Sequence, residues 1–118
     1  MISESDFNEL KSVALTGVTV GIGSQVLIFE NGVSLLIQCP FKCVSRGNTL
    51  WGHGEEIETA PLIFYFLNQV VESARFEADG VIALDFGCVG SLVVVPDLNG
   101  MESYVLTTRL GIYPFSSV

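Results

Sequence analysis

Charge is what this chain has least of. Only 15% of its 118 residues are Asp, Glu, Lys or Arg, and only five of those are basic. An ordinary soluble domain carries roughly 25%, so part of the surface is expected to be covered by another chain, either a second copy or a different partner. Thirteen acidic residues against five basic ones leave a net charge of −8. That sign repels phosphate backbones and anionic membranes, excludes nucleic-acid binding, and favours a basic partner. No uncharged apolar run approaches the ~18 residues of a membrane span. The first ten residues, MISESDFNEL, are acidic where a secretory signal is basic and then apolar. A cytoplasmic protein is the expectation.

Cysteine is also scarce. Cys39, Cys43 and Cys88 form an odd set without framework spacing, which fits reduced thiols. Cys39 and Cys43 lie four apart, but zinc or iron would need a third and fourth ligand, and only Cys88 and the single His53 remain. Neither a metal nor a cofactor is expected. At this length the chain is one domain, residues 1–118, with a core of useful size.

What is present in quantity is the β-hairpin. Ser24 to Gln38, SQVLIFENGVSLLIQ, places Asn31-Gly32 between two apolar runs. Both residues accept the positive φ of a tight two-residue turn. The pattern returns in Val81 to Val95, where Leu84, Phe86, Leu92 and Val94 stand for Leu27, Phe29, Leu35 and Ile37. The pseudo-repeat halves run over about residues 17–46 and 69–96. Both faces of the first hairpin are apolar, which calls for cover on both sides. The expected fold is α+β, mostly antiparallel β. Two hairpin repeats form a curved sheet, a sandwich or a partial barrel, with an N-terminal helix and a short central helix.

The N-terminal helix is placed at Ser3 to Leu15. Ser3 and Asp6 form a capping box, and Phe7, Leu10 and Ala14 share one face. Val18 to Ile22 alternates as a strand. Pro40 lacks a ladder donor and marks a kink or a sheet edge. Thr59 caps the central helix with Pro61 in its first turn, and LIFYFLNQ is apolar nearly all round, as a buried helix would be. Val70 to Phe76 reads as a strand and Asp79-Gly80 as a turn. Asn99-Gly100 is a further turn, and Glu102 to Arg109 the final strand.

Arg46 to Glu58, RGNTLWGHGEEIE, reads as a long polar loop holding the only Trp and the only His. His53 beside Glu55 and Glu56 invites a general-base reading. No nucleophile or oxyanion signature accompanies it, and a glycine-flanked loop preorganises poorly, so binding surface or solvated loop is preferred to catalysis and no enzyme is expected.

Several positions taken together carry a resemblance: Gly17-Val18, the Phe29 hairpin, Pro40-Phe41, Leu62 to Leu67, Asp79-Gly80, Leu84-Asp85-Phe86, Leu92 to Pro96, and Glu102 with Tyr104. The chain resembles small acidic bacterial proteins, some of which look like immunity proteins of contact-dependent growth inhibition and polymorphic toxin systems. The resemblance implies binding to a cognate basic toxin domain, and no catalytic residue comes with it. Candidate partner-binding residues are Trp51 as an aromatic anchor, Glu55, Glu56 and Glu58 in the central loop, and Asp97 and Glu102 beside the late turn. The alternative is a homo-oligomeric small-molecule-binding or structural domain, with a pocket or dimer interface lined by Phe29, Phe86 and Tyr104.

Overall fold

Strand alternation sorts the apolar residues to one side of each ladder, and burying that side against a second sheet removes it from water. The computed structural model describes residues 4–98 and 100–116. Strand makes up 51% of it, in two antiparallel sheets with few helices. The chain runs α1 (Glu4–Asn8), β1 (Leu15–Gly21), β2 (Ser24–Phe29), β3 (Ser34–Ile37), β4 (Pro40–Ser45) and β5 (Asn48–His53). After a 3₁₀ turn at Ile57–Thr59 come α2 (Ala60–Phe64), β6 (Ser73–Phe76) and β7 (Ile82–Asp85). A second 3₁₀ turn at Gly87–Val89 leads to β8 (Ser91–Val94), β9 (Glu102–Thr108) and β10 (Gly111–Ser116). The first sheet is ordered β1-β2-β3-β9-β10 and the second β5-β4-β8-β7-β6.

Inward residues of both sheets meet in one core. Leu27, Phe29, Leu35, Ile37, Tyr104 and Leu106 come from the first sheet, and Phe41, Ile82, Leu84, Leu92 and Val94 from the second. Each such side chain contributes about 1.5–3 kcal/mol on burial. Phe29, Phe86 and Tyr104 belong to this core, at 1%, 3% and 0% exposure, so they line neither a pocket nor a dimer interface. The facing sheet supplies the cover that one apolar face of the first hairpin calls for.

Read from β6, the second sheet is β6-β7-β8-β4-β5, the same plan as β1-β2-β3-β9-β10. Each sheet is a three-strand meander from one half of the chain, completed by a hairpin from the other half. Leu27 pairs with Leu35 as Leu84 pairs with Leu92, 57 positions on. Ile37 pairs with Tyr104, and its counterpart Val94 pairs with Phe41. The two halves join about a near-twofold at the Ala14–Val70 bridge. There Ser12 N–H donates to Val71 O (2.8 Å), and its counterpart Asn68 N–H donates to Leu15 O (2.7 Å). Ser12 and Asn68 also share a left-handed backbone, φ 67° and 66°. The helices correspond as well, Phe7 and Leu10 being buried like Ile63 and Phe66.

Several expected elements are corrected. The N-terminal helix spans Glu4–Asn8 rather than Ser3 to Leu15, and Ser3 lies outside the described residues. Left-handed Ser12 stops any helix, and Ala14 and Leu15 are drawn into pairing with Val70 and Phe29. The hairpin at Asn31-Gly32 is wider than two residues. Phe29 N–H donates to Val33 O, leaving Glu30 to Gly32 as the loop, with Gly32 at φ +86°. Pro40 starts β4, an interior strand, where its missing N–H costs nothing. Half of the polar loop is strand: Arg46-Gly47, both at positive φ, closes the β4–β5 hairpin. The central helix is not buried all round, since Phe64 and Tyr65 are 41% and 56% exposed. Thr59 does not cap it with its side chain. The strand at Val70 to Phe76 starts only at Ser73, and a tenth strand, with Pro114 inside it, forms an edge of the first sheet. Asn99 of the late turn lies outside the described residues.

Candidate functional site

Strand β5 faces Trp51 and His53 outward, because Gly52 between them is turned to the core against Phe41. Beyond His53 the chain dives: Gly54 is buried and donates its N–H to Cys39 O at 2.9 Å. Polar side chains then fix the following bend. Gln25, on the inward face of β2 and fully buried, donates from Nε2 to the carbonyls of His53 (3.1 Å) and Glu56 (3.0 Å). Thr59 Oγ1 accepts the His53 N–H at 3.1 Å, and its hydroxyl lies 3.0 Å and 2.8 Å from the carbonyls of His53 and Glu56.

This framework brings together residues more than forty positions apart. Glu55 N–H donates to His53 Nδ1 at 3.1 Å, so the ring proton of neutral His53 sits on Nε2. Nε2 lies 3.8 Å from Asp97 Oδ2, and Nδ1 lies 3.8 Å from Glu55 Oε1. Asp97 is itself held by its N–H, which donates to Oγ of buried Ser103 at 3.1 Å. Glu55, Asp97 and Glu102, with Gln38 and Met101, line a cleft of about 340 Å³.

Comparisons with family models, curated proteins and solved structures return no match for this chain. Of the six candidate residues, Glu55, Asp97 and Glu102 share the cleft. Glu56 and Glu58 are exposed on the adjoining bend, outside its lining, with Ile57 between them at 53% exposure. Trp51 is 56% exposed, two residues along β5 from His53, with Lys42 Nζ 5.6 Å from its ring centre. That cation–π contact holds the ring against the sheet while leaving one side open.

The nearest thiol, Cys39, is fully buried, and burial first and the Asp97 charge second push it up to about 12, so it stays protonated. Burial likewise raises Cys43 to about 11. Among the described residues, no group of three or more His, Cys, Asp and Glu is placed to hold a metal ion. The positioning residues Gln25 and Ser103 escaped the sequence reading, and Thr59 entered it only as the cap of the central helix. Gln25 did leave a signal, as a polar residue in phase with Leu27 and Phe29 on an inward strand face.

Proposed function

We propose that this protein is an immunity protein that binds and neutralises a cognate bacterial toxin domain, a basic nuclease, through the acidic surface around His53. The observation that carries the reading is the convergence of Glu55, Asp97 and Glu102 on one cleft, with Glu56, Glu58 and exposed Trp51 beside it. The backbone at Glu55 and Asp97 is pinned by hydrogen bonds, so these carboxylates offer a basic partner a field with less of the entropy loss of ordering a loop. Trp51 supplies the aromatic anchor that interface energetics favour. The net charge of −8 draws such a partner in from a distance.

The test is co-expression with a neighbouring reading frame that encodes a basic toxin domain. Wild-type protein restores growth. The charge reversal Glu55→Lys, Asp97→Lys, Glu102→Lys, folded by circular dichroism, loses protection and weakens binding at least a hundredfold. Full protection by the folded triple variant would refute the site.

A second reading, self-association, is favoured by one observation. The outward rows of the first sheet are Thr19, Val26, Leu36, Val105 and Pro114, and Gly17, Ile28, Ser34, Thr107 and Ile112. None of these ten is ionisable, and Ile28 and Ile112 are 39% and 69% exposed. On this reading wild-type protein sediments as a dimer at micromolar concentration and Leu36→Lys as a monomer. A monomeric wild type would remove it.

A further inference from the structure

The near-twofold makes each half a control for the other, and at one place the halves differ. Between α2 and the β4–β5 hairpin lies a cavity of about 300 Å³. Cys43 and Phe66 are buried in its lining, Leu50, Leu62 and Tyr65 are its apolar walls, and Arg46 stands at its edge. The matching place in the other half lies between α1 and the β9–β10 hairpin. The register equates Leu50, opposite Cys43, with Tyr113, opposite Leu106, and Asn48 with Gly111. The helices equate Leu62 with Asp6 and Tyr65 with Glu9.

In the α1 half the space is filled. Tyr113 packs against the core, and a Cβ at Gly111 would stand 3.0 Å from its hydroxyl, so the absent side chain leaves the phenol its room. Desolvation, with the charge and hydrogen bond of Asp6 and the charge of Glu9, raises the Tyr113 hydroxyl pKa. Arg109 Nε pairs with Glu9 Oε2 at 3.4 Å, and Asp6 also accepts from Thr108 Oγ1 at 2.9 Å. The α2 half has kept the arginine and lost the rest. Leu50 is too short to replace Tyr113, and Tyr65 stands where Glu9 would be. Arg46 has no ion pair among the described residues. Leu62 in place of Asp6 removes that carboxylate acceptor, and Asn48 in place of Gly111 puts a side chain where the phenol hydroxyl has its room, so the vacant volume suits a plain ring.

We infer that the cavity between α2 and the β4–β5 hairpin binds a small aromatic carboxylate, its ring taking the space that Tyr113 fills in the other half and its carboxylate pairing with Arg46 as Glu9 pairs with Arg109. The inference does not depend on the acidic cleft. The cavity volume sits at the low end of small-molecule sites, enough for one ring and a short acid chain. Its apolar walls desolvate the ring, and exposed Tyr65 offers a face to stack on.

The probe is 3-phenylpropionate, titrated into ¹⁵N-labelled full chain. Saturable shifts are expected at the amides of Cys43, Leu50, Leu62 and Tyr65, with Kd of about 0.1–1 mM, in keeping with the affinity a ligand of this size can reach. The neutral 3-phenylpropionamide binds about tenfold more weakly. Arg46→Gln, a surface change, brings the acid down to the amide's affinity without altering the amide's. Leu50→Tyr fills the cavity as Tyr113 does and abolishes both. Absence of shifts at these amides at several Kd would overturn the site. Equal binding of acid and amide, or acid binding undiminished in Arg46→Gln, would overturn the carboxylate assignment.

Discussion

Gly54→Ala probes the framework of the acidic cleft through a single methyl group. A Cβ at position 54 would overlap the Ile37 carbonyl and stand 2.8 Å from Gln38 N. These are backbone atoms at the crossover from β3 to β4, and no rotamer change relieves them. The 53–55 segment must retreat by about an ångström, at about 1–3 kcal/mol for overpacking. The retreat also stretches the bond from Gly54 N–H to Cys39 O, worth about 1 kcal/mol. The expected loss is about 2–4 kcal/mol, read by urea unfolding at unchanged m-value, with Tm lower by about 10 °C. The same movement carries Glu55 away from His53 and Asp97, so partner binding weakens even where the variant is folded. Gly23→Ala is the control: nothing lies within 4 Å of its Cβ, and only the φ of +85° opposes it, at about 1–2 kcal/mol. A Gly54→Ala protein within about 0.5 kcal/mol of wild type would refute the reasoning.

Two further stability predictions rest on buried groups. Tyr104→Phe removes the hydroxyl that donates to Gly80 O at 2.7 Å while keeping the ring stacked on Phe115; urea unfolding should show a loss of about 1–2 kcal/mol. Cys39 and Cys43, pushed up to about 12 and about 11, hold their protons in the folded state while the unfolded thiols ionise. Stability is therefore fully present below the thiols' ordinary pKa of about 8.5 and is lost as pH rises toward the folded values, by at most about 1.4 kcal/mol per pH unit per thiol. Cys39→Ala should flatten that loss between about pH 9 and 11 in a series of urea titrations, and an unchanged slope would contradict the assignment.

The elements that could be read from the sequence were those with local chemistry. Leu27 and Leu35, and Leu84 and Leu92, announce themselves by alternation around turns. Strand β5 was hidden because its turn is Arg46-Gly47, and an arginine at φ 49° leaves no compositional trace. Strand β10 was hidden by Pro114, which an edge strand tolerates because its N–H side can face solvent. The glycine at 54 looked like flexibility, yet it is buried and lies where a Cβ would meet the backbone of Ile37 and Gln38. The acidic residues were found as types, but not their grouping. Whether Glu55 meets Asp97 or Glu58 depends on β3 crossing to the second sheet at Gln38 and Cys39, a long-range choice with no local signature.

The central claim is that the acidic surface around His53 binds a basic protein domain. Its most direct test is the association rate between this protein and the basic toxin domain of a neighbouring reading frame, measured from about 50 mM to about 500 mM salt. The account predicts fast association that slows at least tenfold across that range, and a slope that collapses in the Glu55→Lys, Asp97→Lys, Glu102→Lys variant. An association rate indifferent to salt, or equal in the folded variant, would contradict it.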